Sequence, residues 1–208
     1  MNILFLHTLG SNTDLFAPLA EEKFPQHTIS HDVQETFLTD IRTHGQNTQT
    51  TQAIHAYLEN QLNNGIDYIV CTCSTLGPVA DSFPNEQVFR VDKPMAQLSA
   101  KYTTCLVAVT LESTIEPTRE LLESQAPNTL FEFLFVEGAW DLYASQQLNA
   151  FNQFVADCVS QSLQQENTYQ AVVLAQASMT DAAPLIVSNL PVLTSPDTCL
   201  AYLAERLN

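Results

Sequence analysis

The 208-residue chain reads as an α/β protein built from two related halves that face each other across a cleft. Three features predict this. Short apolar runs alternate with segments of helical periodicity, their order repeats once along the chain, and polar residues capable of chemistry close the runs in both copies. Hydrophobic residues make up 45% and charged residues 14%, with ten prolines and five glycines, so the chain has a core to bury and is neither disordered nor of low complexity. The length suits one large domain or two of roughly 100 residues each.

Taken in order, the apolar runs predict strands at 2–6, 67–71, 87–91, 104–110, 130–136, 170–175 and 190–194. Residues 50–64 predict a helix, because Ile54, Tyr57, Leu58 and Leu62 share one face and Gly65 follows as a C-terminal cap. A further helix is expected to begin near Pro78, and others cover 115–124, 147–164 and 196–207, the last with Pro196 and Asp197 in its first turn. Strands and helices in alternation imply a parallel sheet with helices on its faces.

The repeat is visible in the spacing of landmarks. His7 to Cys73 is 66 residues and Thr110 to Gln176 is also 66; Cys73 to Pro94 is 21, against 20 from Gln176 to Pro196. The offset is 102 or 103 residues. It predicts a first α/β lobe at 1–97 and a second at 98–195, with the C-terminal helix, about 196–208, placed against the first. Parallel sheets hold ligands outside the carboxyl ends of their strands. The candidate site residues are therefore those closing each strand: His7, Thr8, Ser11 and Asn12; Cys73, Ser74 and Thr75; Asp92 and Lys93; and Thr110, Ser113, Thr114, Gln176 and Ser178.

Charge narrows the partners. The formal charge is −16, from 23 acidic and 7 basic residues, and the basic residues are scattered, so neither nucleic acid nor an anionic membrane is an expected partner. The amino-terminal apolar run is short and lacks a basic flank, which predicts a cytoplasmic protein. Five cysteines without regular spacing read as free thiols in a reducing compartment.

Cys73 is the one plausible catalytic thiol. It stands in Thr72-Cys73-Ser74-Thr75-Leu76-Gly77-Pro78, where a strand turns toward a helix N-terminus whose dipole and N–H groups favour a thiolate. Cys71, Cys105, Cys158 and Cys199 fall in strand or helix interiors and read as packing residues. His7 is either a locally bonded histidine or an acid and base, since an imidazole titrates near neutrality. Thr110-Leu111-Glu112-Ser113-Thr114 is either an anion-binding turn or a plain helix cap. Lys93 is a carboxylate attractor or a surface lysine. His31-Asp32 lacks a third ligand at metal-binding spacing, and Cys71-Thr72-Cys73 is a weak metal or redox signal.

At these residues the chain resembles the aspartate/glutamate racemase superfamily, which includes amino-acid and hydantoin racemases, maleate isomerase and arylmalonate decarboxylase. Thr72-Cys73-Ser74-Thr75 is similar to the family's Ala-Cys-Asn-Thr, and Ala175-Gln176-Ala177-Ser178 falls where a second cysteine, in Gly-Cys-Thr, is expected. The resemblance covers almost the whole chain. It implies two pseudo-symmetric Rossmann-like lobes, a cleft between them, no cofactor, a small carboxylate substrate and a homodimer. It also implies that Ser11, Asn12, Thr110, Ser113 and Thr114 cradle carboxylates. Gln176 departs from the pattern. An amide is neither acid nor base at neutral pH, so two-thiol racemisation is not expected, although Gln176 retains donors for a carboxylate or oxyanion. Two readings follow: a one-thiol isomerase or decarboxylase, with His7 as a possible opposite acid or base, and an inactive carboxylate-binding protein on the same scaffold.

Overall fold

The computed structural model describes residues 1–165 and 168–207. It divides into two compact units, Met1–Val91 joined by the residues from Leu200 on, and Asp92–Cys199. The sequence placed this division at residue 97. The unit boundary instead follows the last strand of the first sheet. Asn208, at the end of the expected C-terminal helix, lies outside the described residues.

In the first unit, β1 (Asn2–His7), β2 (Thr28–Val33), β3 (Tyr68–Cys71) and β4 (Val88–Arg90) form a parallel sheet in the order β2-β1-β3-β4. Helices α1 (Gly10–Lys23), α2 (Glu35–His44), α3 (Thr48–Asn63) and α4 (Gly77–Ser82) connect the strands. Both sheet faces are covered, as all-parallel sheets require. Leu4, Leu6, Ile69 and Cys71 meet Leu38, Ile54, Leu58 and Val79 on one side. Phe5 stacks on Phe16 of α1 on the other. Helix α3 starts two residues before the expected position 50 because Asn47 forms a capping box: its Oδ1 accepts from the Gln49 and Thr50 N–H groups at 2.9 and 3.0 Å, while Thr50 Oγ1 accepts from the Asn47 N–H. Gly65 follows at φ 91°, a conformation that suits glycine.

In the second unit, α5 (Lys93–Ser99) precedes β5 (Thr104–Val109), followed by α6 (Ile115–Gln125), β6 (Leu130–Phe135), α7 (Ala139–Ala144), α8 (Leu148–Gln165), β7 (Ala171–Leu174), β8 (Val192–Thr194) and α9 (Ser195–Leu207). The sheet order is β6-β5-β7-β8, again all parallel. Leu106, Ala108, Val172 and Leu174 pack with Phe151, Val155 and Val159 of α8. Cys105, Val107, Ala171 and Val173 pack with Leu121 and Leu122 of α6 and Met95 of α5. The end of α9 groups with the first unit, where Tyr202 meets Phe89 edge-on at 5.0 Å. No described helix is long and apolar enough to cross a membrane.

The two sheets repeat in register as well as order. Asn2↔Thr28 in the first corresponds to Thr104↔Leu130 in the second, an offset of 102 on both strands, and Leu6↔Cys71 corresponds to Ala108↔Leu174, offsets of 102 and 103. Gln176 is therefore the positional counterpart of Cys73, as the spacing indicated. Thr110, however, matches Thr8 and not His7, whose counterpart is Val109. The equal spacings of 66 residues paired the wrong residue because the offset grows by one between β1 and β3.

All seven predicted strands form. The sequence missed β2, α1, α2, α5 and α7. Strand β2 (Thr-Ile-Ser-His-Asp-Val) carries no apolar run, and none of its residues is fully buried; it pairs with β1 alone among the described strands.

Candidate active site

Because every strand is parallel, β1 and β3 end on the same side of the first sheet. Their carboxyl ends bring His7, Thr8, Asn12, Thr72 and Cys73 into one neighbourhood. Cys73 begins a turn rather than ending the strand, which stops at Cys71. The Leu76 N–H donates to the Cys73 carbonyl at 3.1 Å, and the Gly77 N–H to the Ser74 carbonyl at 3.1 Å. Cys73 is 9% exposed and packs at the margin of the apolar cluster formed with Leu6, Leu76 and Val79. It is thus more enclosed than a thiol at an open strand tip, the position the sequence suggested. Ser74 and Thr75 are exposed in the turn, and α4, which follows it, has six residues.

Of the two settings expected for His7, the structure shows the locally bonded one. The imidazole has no exposure: Nδ1 lies 2.8 Å from Thr72 Oγ1, Nε2 lies 2.9 Å from His31 Nδ1, and its ring stacks on that of His31 with centroids 5.2 Å apart. Burial, then the neighbouring His31, lower its pKa from 6.5 to about 4, with Asp32 opposing. At neutral pH it is an uncharged internal group, not an imidazole presented to a ligand. Burial likewise lowers the pKa of His31, opposed by Glu21.

A pH prediction follows. The folded state resists protonation of His7 while the unfolded chain takes up the proton near pH 6.5, so this contribution to stability is complete above pH 6.5 and declines as the pH falls toward 4. Denaturant melts at stepped pH are expected to show the decline, and a His7→Gln variant to flatten it. An equal decline in the variant would contradict this assignment.

Thr72 and His31 were not among the sequence candidates. Thr72 is 8% exposed; its hydroxyl donates to the Leu6 carbonyl at 3.2 Å and accepts from Asn12 Nδ2 at 3.4 Å. The available signal was the parallel register that sets His31 opposite Phe5, one side-chain repeat from His7 on the same face. Asp32 points to the opposite face, where Tyr57 donates to it at 2.5 Å and Gln34 at 2.9 Å. His31 and Asp32 therefore serve different partners on opposite faces of the sheet. Among the described residues, no group of three or more His, Cys, Asp or Glu is placed to hold a metal ion.

Arg90, read from sequence as one of the scattered basic residues, is 4% exposed at the end of β4 and lies 3.6 Å from Asp81. Its guanidinium covers Gly77: a Cβ there would sit 2.4 Å from Cζ, 2.7 Å from Nε and 2.8 Å from Nη1. Gly77→Ala is expected to destabilise the protein by about 1–3 kcal/mol by displacing this buried side chain. The urea midpoint measures it, and an unchanged midpoint would count against the contact.

In the second unit, Gln176 Oε1 accepts from both the Thr110 N–H, at 2.6 Å, and the Thr110 hydroxyl, at 2.9 Å. The backbone donor fixes the orientation of the amide, because only its oxygen accepts. What Gln176 offers another group is therefore its pair of N–H donors. Thr114 directs its hydroxyl to the Leu111 carbonyl at 2.6 Å, and no side chain caps α6. Ser113 is exposed in the 3₁₀ turn Glu112–Thr114, and Ser178 is half-buried in the 3₁₀ segment Ala177–Leu185. Asp92 is 9% exposed and precedes α5, whose first residue is Lys93. Burial raises the thiol pKa of Cys105 to about 11 and raises those of Cys158 and Cys199, with Asp157 and Asp92 adding to the respective shifts. These three are held as neutral thiols.

Two four-stranded parallel sheets of identical order, each with polar residues past its strand ends, form a fold seen in racemases. Solved racemase structures match along the whole chain, although no family model and no curated protein matches it in sequence. Allantoin racemase from Klebsiella pneumoniae aligns with a TM-score of 0.68 at 14% identity, covering 100% of this chain and 87% of that one. Aspartate racemase from Picrophilus torridus gives 0.60 at 15% identity, covering 99% and 93%. Glutamate racemase from Francisella tularensis, solved with D-glutamate, gives 0.65 at 14% identity, covering 99% and 81%. The chain shares the fold of these racemases.

Proposed function

We propose that the chain is a cofactor-independent isomerase or lyase of racemase type, acting at the carbon next to the carboxylate of a small acid or amino acid. Cys73 is its acid and base. The observation that carries this reading is the pairing of positions: a thiol past the end of β3 in the first unit, and at its counterpart past β7 an amide with its oxygen tied to Thr110. A thiolate that removes the α-proton leaves a planar, enolate-like acid whose negative charge grows on the carboxylate oxygens. Hydrogen-bond donors placed at those oxygens stabilise that charge. With one thiol, the proton leaves from and returns to a single face, or enters there after loss of carbon dioxide from a diacid.

Incubation with small diacids and amino acids in deuterated water tests the proposal. Deuterium at the α-carbon with retention of configuration, or release of carbon dioxide from a diacid, is the expected result. A second reading, a carboxylate-binding protein without turnover, is favoured by the 9% exposure of Cys73. It predicts ligands that raise the melting temperature with no exchange at all.

A further inference from the structure

Three side chains of the first unit form a continuous hydrogen-bonded line, His31 Nδ1 to His7 Nε2 at 2.9 Å and His7 Nδ1 to Thr72 Oγ1 at 2.8 Å. One end is anchored, because Thr72 Oγ1 also lies 3.2 Å from the Leu6 carbonyl. The other end is open: His31 Nε2 is buried and has no hydrogen-bond partner among the described residues. A neutral imidazole carries one N–H and one lone pair, so two neutral histidines in series must point the same way. Either every group donates toward Leu6, leaving a lone pair at His31 Nε2, or every group donates outward, leaving an N–H there. The first arrangement keeps one more bond, that from the Thr72 hydroxyl to the Leu6 carbonyl, and is the resting one.

We propose that His31, His7 and Thr72 form a reversible hydrogen-bond relay, its direction set by the group that meets His31 Nε2 and felt at Thr72, the residue next to Cys73. A donor at His31 Nε2, such as a hydroxyl or an ammonium group, holds the resting direction. An acceptor, such as a carboxylate, reverses it and frees the Leu6 carbonyl from the Thr72 hydroxyl. Phe5 and Phe16 wall the pair with apolar rings, which keeps both imidazoles neutral and the line intact. The charged groups acting on it are Glu21 of α1, on His31, and Asp32 of β2, on His7. His31 is then a positioning residue for the turn that bears the thiol. That meaning rests on the proposed role of Cys73, whereas the relay itself does not.

Nitrogen NMR of the ¹⁵N-labelled full chain at neutral pH reads the tautomers directly. The wild type is expected to carry its protons on Nδ1 of both histidines. Thr72→Val removes the inner acceptor; an unpaired N–H on Nε2 of His31, a covered atom of a half-buried residue, is then cheaper than one on Nδ1 of His7, which has no exposure, so both rings are expected to switch to the Nε2–H form. A switch at His7 alone, or at neither ring, overturns the relay, since Thr72 does not touch His31. His31→Phe supplies an independent check that keeps the ring stack. It should move the His7 Nε2 signal to that of an unbonded nitrogen and speed alkylation of Cys73 roughly threefold to tenfold, the equivalent of one lost hydrogen bond. An unmoved signal overturns the relay, and an unchanged alkylation rate overturns the positioning role. If Cys73→Ala retains full turnover, the thiol chemistry fails while the tautomer results stand on their own.

Discussion

Cys73→Ala is expected to lower turnover of any substrate by at least about a hundredfold, the span that a positioned acid and base ordinarily supplies. The substitution removes one sulfur at the margin of the Leu6, Leu76 and Val79 cluster and leaves the turn's bonds from the Leu76 and Gly77 N–H groups in place, since those engage the carbonyls of Cys73 and Ser74. Stability should fall by about 1 kcal/mol, the usual size for a small buried truncation. Cys73→Ser separates size from chemistry, because a hydroxyl of similar volume ionises far less readily than a thiol and should not restore the rate. Turnover that persists in the alanine variant, with its folding intact, would refute the assignment.

Gln176→Glu should abolish carboxylate recognition while leaving the fold nearly untouched. A glutamate oxygen can accept the same two bonds from Thr110 that the glutamine oxygen accepts, at 2.6 and 2.9 Å, and an ionised acceptor strengthens them. The N–H donor pair, however, becomes a negatively charged oxygen. Like charges placed together cost several kcal/mol, so affinity for a carboxylate ligand should drop by about a hundredfold or more. Gln176→Leu is the contrasting variant: it loses both Thr110 bonds and should destabilise as well. Titration calorimetry with the best small acid, alongside thermal melts, distinguishes the two. Undiminished affinity in the glutamate variant would show that the amide donors do not meet the ligand.

The strands that cross the middle of each sheet were legible because burial on two faces demands consecutive apolar residues, as in Leu106–Val109 and Ala171–Leu174. The duplication was legible for the same reason, since strand spacing survives when side chains diverge. Strand β2 was hidden: Ser30, His31 Nδ1 and Asp32 bond to particular partners on other elements, and a periodicity cannot show those. The site was legible only along the chain. Order and spacing marked Cys73 and Gln176 as counterparts, but the seclusion of His7, the hydroxyl of Thr72 and the guanidinium over Gly77 depend on contacts between residues 13 or more positions apart. The amide orientation of Gln176 was likewise out of reach until Thr110 was seen to donate to it.

The contrast between β2 and β6, an outer strand from each sheet, bears on how the chain behaves at high concentration. In β2, the imidazole of His31 and the carboxylate of Asp32 make insertion against a stranger's backbone unfavourable, an inbuilt guard against self-association. Strand β6 (Leu-Phe-Glu-Phe-Leu-Phe) has only Glu132 to interrupt its apolar sequence, and that carboxylate is engaged by the Tyr169 hydroxyl at 2.5 Å. Leu130 and Phe135 at its two ends are 59% and 40% exposed. Should copies of this chain begin to clump during refolding, the fibre-like seed would form from residues 130–135, and a lysine placed at Leu130 would be the simplest remedy.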